Sequence, residues 1–319
     1  MSEPSLKELP SANGHVSNFP ELSRELIPAY SEPVPASPSE TRYLLVKAHV
    51  GFGDRLQCLS QAIEHAKKYN RTLSVDWSDS IWSDGTVDFD TFFHICGVQT
   101  VPPAEIYQRN FSTVEPIGWM NQYDRKASCD FIFKTEYELT LKDEDLPSQL
   151  VVYPSVGLRT YYVANLCMLR VKKPWRDSIV QELKRYSKFK TLVHLRGTDK
   201  HASEKIPEYM EKIKAKMADI PKTEPVLIVS DSLPLYQELR ESFPNAVLRT
   251  PNLDRFRTDQ GTHFQLQIPK SEFNLNTLID FFLIAYSSNC IAEGESMFYT
   301  MARFLDCGPK KDILGYDGD

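Results

Sequence analysis

From residue 191 onward, short apolar runs alternate with helix-period segments, and few architectures accept that pattern. Runs of strand length stand at 191–195, 226–230, 246–249 and 289–292. Segments of helical period stand between and after them, at 206–218, 234–243, 275–287 and 297–305. Strands that are almost wholly apolar are buried on both faces, so helices must cover both sides. Strand–helix alternation then gives a parallel, doubly wound sheet. The same unit occurs nearer the front. An apolar run at 43–50 breaks at Gly51-Phe52-Gly53-Asp54. A helix follows, with Leu56, Leu59, Ile63 and Ala66 in period and Asn70 at its C-terminal end, and 72–76 reads as a second strand.

A chain of 319 residues suits two domains of ~100–150 residues each. The Ser-, Pro- and Glu-rich stretch 1–40 reads as a disordered or loosely packed tail. Residues 41–165 form the first α/β domain and 166–319 the second. Residues 80–160 are aromatic and loop-rich, 161–190 read as helical, and Gly308-Pro309 stops the last helix. The net charge of −6, with both signs interspersed, argues against a nucleic-acid partner. No apolar run approaches ~20 residues, so no membrane span is expected. No signal peptide is seen. The six cysteines, at 58, 96, 129, 167, 290 and 307, show no C-x-x-C pair and fit a reduced, cytoplasmic setting.

In such sheets ligands bind beyond the carboxyl ends of the strands. That rule selects the turns at 51–55, 196–200, 230–232 and 293–296. Arg196 directly follows a buried strand, where a guanidinium can grip a pyrophosphate through two parallel hydrogen bonds. It equally suits an ion pair with Asp199 or Asp231. Gly294-Glu295-Ser296 precedes a helix, and a helix start with a hydroxyl can bind an anion or simply be capped. Gly51 and Gly53 let the backbone approach a ligand closely, or serve only a tight strand-to-helix turn with Asp54 capping the helix. Asp231 can accept from a guanine or ribose, or cap a helix. Asp88-Phe89-Asp90 has the D-x-D pattern of cation-dependent transferases, yet lies away from the four turns and reads as a solvated loop. No dinucleotide fingerprint, P-loop or G-x-S-x-G elbow is present.

Four segments, in order, resemble the nodulation-factor and core α1,6-fucosyltransferases and, more distantly, the protein O-fucosyltransferases. They are GFGDRLQCLSQAIEHAKKYNRTLSVDW (51–77), HLRGTDK (194–200), LIVSDSLPLYQELRESFPN (227–245) and DFFLIAYSSNCIAEGESMFYTMAR (280–303). The resemblance implies an α/β, GT-B-like fold of two Rossmann-like domains around a nucleotide-sugar cleft. It implies inverting transfer from GDP-fucose without a metal or other cofactor, onto a glycan, protein or small-glycoside acceptor. Carried over by position, Arg196 binds the β-phosphate and stabilises departing GDP. His194 faces the nucleotide, Asp231 helps recognise guanosine, and Ser296 with Met297 and the Phe298 backbone holds the diphosphate. Gly51, Phe52, Gly53 and Asp54 line the cleft from the first domain, with Asp54 the candidate base. Core α1,6 enzymes carry a second arginine where Gly197 stands. Transfer from another GDP-sugar, or a degenerate nucleotide-sugar-binding scaffold, are the alternatives.

Overall fold

A computed structural model of the chain describes residues 41–48, 51–115, 120, 145–155, 163–197, 205–250, 268–293, 296–306 and 309–316. All of the described residues lie in one compact unit, Pro33–Asp319. The expected tail over 1–40, Thr198-Asp199-Lys200, Gly294-Glu295 and residues 251–267 of the polar excursion lie outside them.

The front of the chain folds as its pattern demands. Strand β1 (Tyr43–Ala48) passes through Gly51 into helix α1 (Phe52–Lys68). Asp54 sits in the first turn of α1 and His65, Lys67 and Lys68 in the last, which complements the helix dipole. Asn70, at φ 52°, takes the left-handed position that ends the helix, a conformation asparagine tolerates. The chain then returns as β2 (Thr72–Asp76), parallel to β1 with Tyr43 opposite Thr72.

The stretch read as loop-rich holds more order than its pattern showed. Helix α2 (Phe89–Phe92), strand β3 (Phe93–Ile95), helix α3 (Pro103–Tyr107) and strands β4 (Val114–Glu115) and β5 (Leu150–Ser155) follow in turn. β5 runs beside β1, and the sheet order is β2-β1-β5-β4, all parallel. The helical reading of 161–190 is corrected in its first half. A 3-10 turn (Ala164–Met168) leads into strand β6 (Leu169–Val171), which pairs antiparallel with β3. Leu169 and Val171 alternate with Arg170, a strand's period of two. Only α4 (Lys173–Tyr186) is α-helical, opened by Pro174 in its first turn.

The rear half alternates as expected. β7 (Thr191–Leu195), α5 (Ile206–Lys216), β8 (Leu227–Ser230), α6 (Leu233–Ser242), β9 (Val247–Leu248), α7 (Lys270–Tyr286), β10 (Asn289–Ala292) and α8 (Met297–Asp306) follow one another. The sheet order is β10-β7-β8-β9, again all parallel. Helix α7 begins at Lys270 rather than 275, with Pro269 at its N-cap. Helix α8 ends at Asp306, ahead of Gly308-Pro309 as expected, but it is not the last helix and Pro309 has a second role. It opens a further helix, α9 (Pro309–Leu314), because proline suits a first helical turn.

Strand alternation divides the core. Leu192 and Val229 face a large cluster that also takes in Leu44 and Val46 of β1, Leu56 of α1, Phe281 and Phe282 of α7, and Met301 of α8. Val193 and Ile228 face the opposite way, onto Ile213 of α5 and Leu239 of α6. Tyr43 and Leu45 pack beneath α3 on Ile106. The largest cluster therefore runs through both sheets, with α1, α7 and α8 as shared filling. Among the described residues, no helix is long and apolar enough to cross a membrane.

Candidate nucleotide-sugar site

Arg196 and Gly197, directly after β7, are held by groups from neighbouring elements. β7 is buried along its whole length, so its end is fixed by the sheet. Arg196, the first residue beyond it, donates its backbone N–H to the Tyr209 hydroxyl of α5 at 3.0 Å. Its guanidinium meets Asp231 at 2.9 Å, with side-chain exposures of 18% and 9%. The other carboxylate oxygen of Asp231 accepts the Gly197 N–H at 2.7 Å. Asp231 in turn donates its own N–H to the Leu195 carbonyl at 3.4 Å. Ser232 occupies the N-cap of α6 without a side-chain bond, while Asp231 is engaged across the sheet with β7's turn. A side chain at Gly197 would begin 2.5 Å from Leu235 Cδ1 and 2.9 Å from Ser232 Cβ. The space beside the Gly197 Cα is thus taken by Leu235 and Ser232.

The start of α8 lies against the same edge. Ser296 is buried; its hydroxyl accepts the Tyr299 N–H at 3.4 Å and its carbonyl the Thr300 N–H at 2.9 Å. It caps α8, and capping and anion binding use the same end of a helix. His194 lies 5.9 Å from the Tyr299 ring, nearly parallel to it, and 6.0 Å from the Phe298 ring. Burial, and secondarily the Arg196 charge, push the His194 pKa down to about 3, so the ring is neutral at neutral pH. Met297 and Phe298 are half-buried.

The turn after β1 reaches this edge through α8. A side chain at Gly53 would begin 2.6 Å from the Met297 carbonyl oxygen, so the two helix starts touch backbone to backbone. Gln57 extends the contact, its Nε2 lying 3.0 Å from the Met297 sulfur. Phe52 is buried between Trp82, Phe93 and Phe281, and Phe281 meets Phe298 at 5.3 Å. An aromatic chain thus connects α1 to β7. Asp54 is half-buried in the first turn of α1, with Gly51 at the N-cap. The structure therefore gathers Arg196, Asp231, His194, Ser296, Met297 and Phe298 at one sheet edge. It brings Phe52 and Gly53 against α8 as packing groups.

Asp88 has a different occupation from cation binding. Its carboxylate accepts the Thr91 N–H at 2.9 Å, while the Thr91 hydroxyl accepts the Asp88 N–H at 3.0 Å, a reciprocal cap on α2. Burial, then the Asp88 charge, raise the Asp90 pKa. Among the described residues no group of three or more His, Cys, Asp or Glu side chains is arranged to hold a metal ion.

No protein-family model matches the chain. Curated relatives called Nodulation protein Z do. One, from Bradyrhizobium diazoefficiens, is 31% identical over 137 residues, which is 41% of this chain and 36% of the relative. Another, from Sinorhizobium fredii, is 26% identical over 134 residues, 40% of either chain. The matched stretch thus spans well under half of these relatives. Among solved structures, the fucosyltransferase NodZ from Bradyrhizobium superposes with a TM-score of 0.62 at 17% identity, over 82% of this chain and 92% of that one. A NodZ alpha-1,6-fucosyltransferase soaked with GDP-fucose gives a TM-score of 0.59 at 20% identity, over 83% and 93%. The fold is the NodZ fold. The α/β, GT-B-like architecture expected from the sequence is the one found.

Within the NodZ fold, sequence reading passed over three residues at this edge. Tyr209 stands in a helix and carries no local pattern that links it to Arg196. Arg249 and Thr250 follow β9, and Thr250 accepts the Ser230 N–H at 3.1 Å. Arg249 meets Asp280 of α7 at 2.8 Å, without the alignment of a hydrogen bond. Burial raises the Asp280 pKa to about 6, against the opposing pull of Arg249. The signal for Asp280 was present as the single charge inside the apolar run 278–286.

Proposed function

We propose that this chain is a glycosyltransferase that moves fucose from GDP-fucose to a hydroxyl of a glycan, protein or small glycoside, with inversion and without a metal. The observation that carries the reading is Arg196, fixed at the end of a buried strand beside the capped start of α8. Support comes also from the likeness to Nodulation protein Z and from the shared fold of the NodZ fucosyltransferases.

In this mechanism the acceptor oxygen forms a bond to the fucose anomeric carbon as the bond from that carbon to the β-phosphate oxygen breaks. Configuration inverts, GDP leaves with the electron pair, and the acceptor proton passes to Asp54 or to water. Arg196 binds the β-phosphate, where negative charge grows. A fixed cation at that oxygen lowers the barrier without reorganising during the reaction. The first N–H groups of α8, with Ser296, Met297 and Phe298, hold the diphosphate. Neutral His194 supplies a flat wall beside the nucleotide, and Gly51, Phe52 and Gly53 complete the site by setting α1 against α8. Asp231 serves the donor site beside Arg196.

Thermal unfolding with GDP, GDP-fucose, GDP-mannose, UDP and ADP, each with and without EDTA, tests the donor. A ligand at ~100 times its Kd adds ~2.7 kcal/mol, a clear rise in Tm. Shifts with GDP and GDP-fucose that survive EDTA are expected. A shift with GDP-mannose alone would move the assignment to another GDP-sugar, GDP binding without turnover on any acceptor would favour the scaffold reading, and no shift with any guanosine ligand at millimolar levels would count against the donor site itself. Arg196→Ala should lower turnover by ~10²–10³-fold, as loss of a transition-state charge partner does. Arg196→Lys should restore little, because an ammonium lacks the two-pronged grip.

A further inference from the structure

The geometry points to Asp231 and Tyr209 as positioning residues that aim Arg196, rather than as groups that read the guanosine. This rests on the donor site proposed above and concerns how that site is set. Three bonds converge on one turn. Asp231 holds the Arg196 guanidinium with one carboxylate oxygen at 2.9 Å and the Gly197 N–H with the other at 2.7 Å. Tyr209 receives the Arg196 N–H at 3.0 Å. The turn is thus tied at its backbone from α5, at its side chain from β8's end, and at the next residue by the same carboxylate.

The surroundings make those ties stiff. Tyr209 is buried at 3% exposure and belongs to the cluster beneath α5 and α6. Asp231 is buried at 8%, directly after a strand hydrogen-bonded on both sides. The close fit of Gly197 against Leu235 and Ser232 removes the room in which the turn could swing. A long arginine side chain carries about 2 kcal/mol of rotamer entropy, and a guanidinium already held in place loses less of it on meeting a phosphate. Both oxygens of Asp231 contact the turn that carries Arg196, so these contacts point the carboxylate at the arginine. A guanidinium offers five N–H donors, so holding Asp231 is compatible with holding a pyrophosphate.

The test separates aim from recognition. Asp231→Asn keeps an oxygen for Gly197 and removes the charge that faces Arg196, and Tyr209→Phe removes the hydroxyl that accepts the Arg196 N–H. Both variants should lower kcat by ~10-fold or more, the range in which loss of catalytic positioning shows, with guanosine affinity within twofold of wild type. In an Arg196→Ala background, Asp231→Asn should change kcat less than twofold, since its effect passes through the missing arginine. A ¹⁵N spectrum of the arginine side chains provides a readout that needs no donor. Wild type should show a slowly rotating Arg196 guanidinium, and Asp231→Asn should lose it. Guanosine affinity falling in Asp231→Asn as far as GDP affinity, full additivity with Arg196→Ala, or an unchanged guanidinium signal would each overturn the assignment. If wild type binds no guanosine ligand, the donor reading falls by itself and the spectra still decide whether Asp231 holds the arginine.

Discussion

His194 places a pH limit on the fold. Its unfolded pKa is about 6.5 and burial brings the folded value down to about 3. The lowered value means that the unfolded chain binds the extra proton first. The contribution of neutral His194 is therefore fully present above pH ~6.5 and is lost as pH falls toward 3, at ~1.4 kcal/mol per pH unit. Asp280 acts in the opposite sense, because a carboxyl raised to about 6 favours the folded state as it takes up its proton. The two overlap from about pH 6 downward, so the informative quantity is a difference. His194→Gln should be less stable than wild type at pH 7.5, and urea midpoints should show that gap narrowing steadily toward pH 5. A constant gap would mean that the histidine titrates in the fold as it does unfolded, and a gap that widens toward low pH would mean that it is charged there. At this scale the sequence was informative wherever a residue directly followed a strand, as Arg196 and Asp231 do. It was silent on Tyr209, whose bond to Arg196 depends on how α5 lies over the sheet.

The elements show why some of the fold was legible and some was not. α1 and β7 announce themselves because their apolar residues keep one period over several turns or a full strand. β5 is as central to its sheet as β7, but Leu150–Ser155 is a short apolar run between polar neighbours, which a loop can also carry. β6 covers three residues, and its strand character comes from pairing with β3, a partner distant in sequence. The contact of α1 with α8 was half legible. Gly53 was marked as a glycine that permits close approach, and the partner turned out to be the Met297 backbone. Gly53→Ala tests that contact. Alanine is the better helix former by about 1 kcal/mol, whereas overpacking costs ~1–3 kcal/mol. A Cβ at 2.6 Å from a backbone oxygen cannot be relieved by turning a side chain, so the clash should win. Chemical denaturation should show a net loss of stability, and a gain would mean that the two helices part easily.

Across the whole molecule, one core joins the sheets, with Leu44 and Leu192 in the same buried cluster. The halves should therefore unfold together. Three of the four tryptophans lie before residue 165 and the fourth, Trp175, packs on Phe92, so their fluorescence reports mainly on the front half, while far-UV circular dichroism reports on both. Coincident denaturation curves are expected, and an earlier loss of one signal would show two separately stable parts. The shared core also has a consequence in time. Gln57 and Met297 touch across 240 positions of chain. At about 5–20 residues per second, the ribosome needs roughly 12–50 s to make that intervening length. Throughout that interval the buried face of α1 waits for a helix that has not been synthesised. A premature stop before α8 should therefore leave that face of α1 without its partner and make the truncated chain more aggregation-prone than the full one.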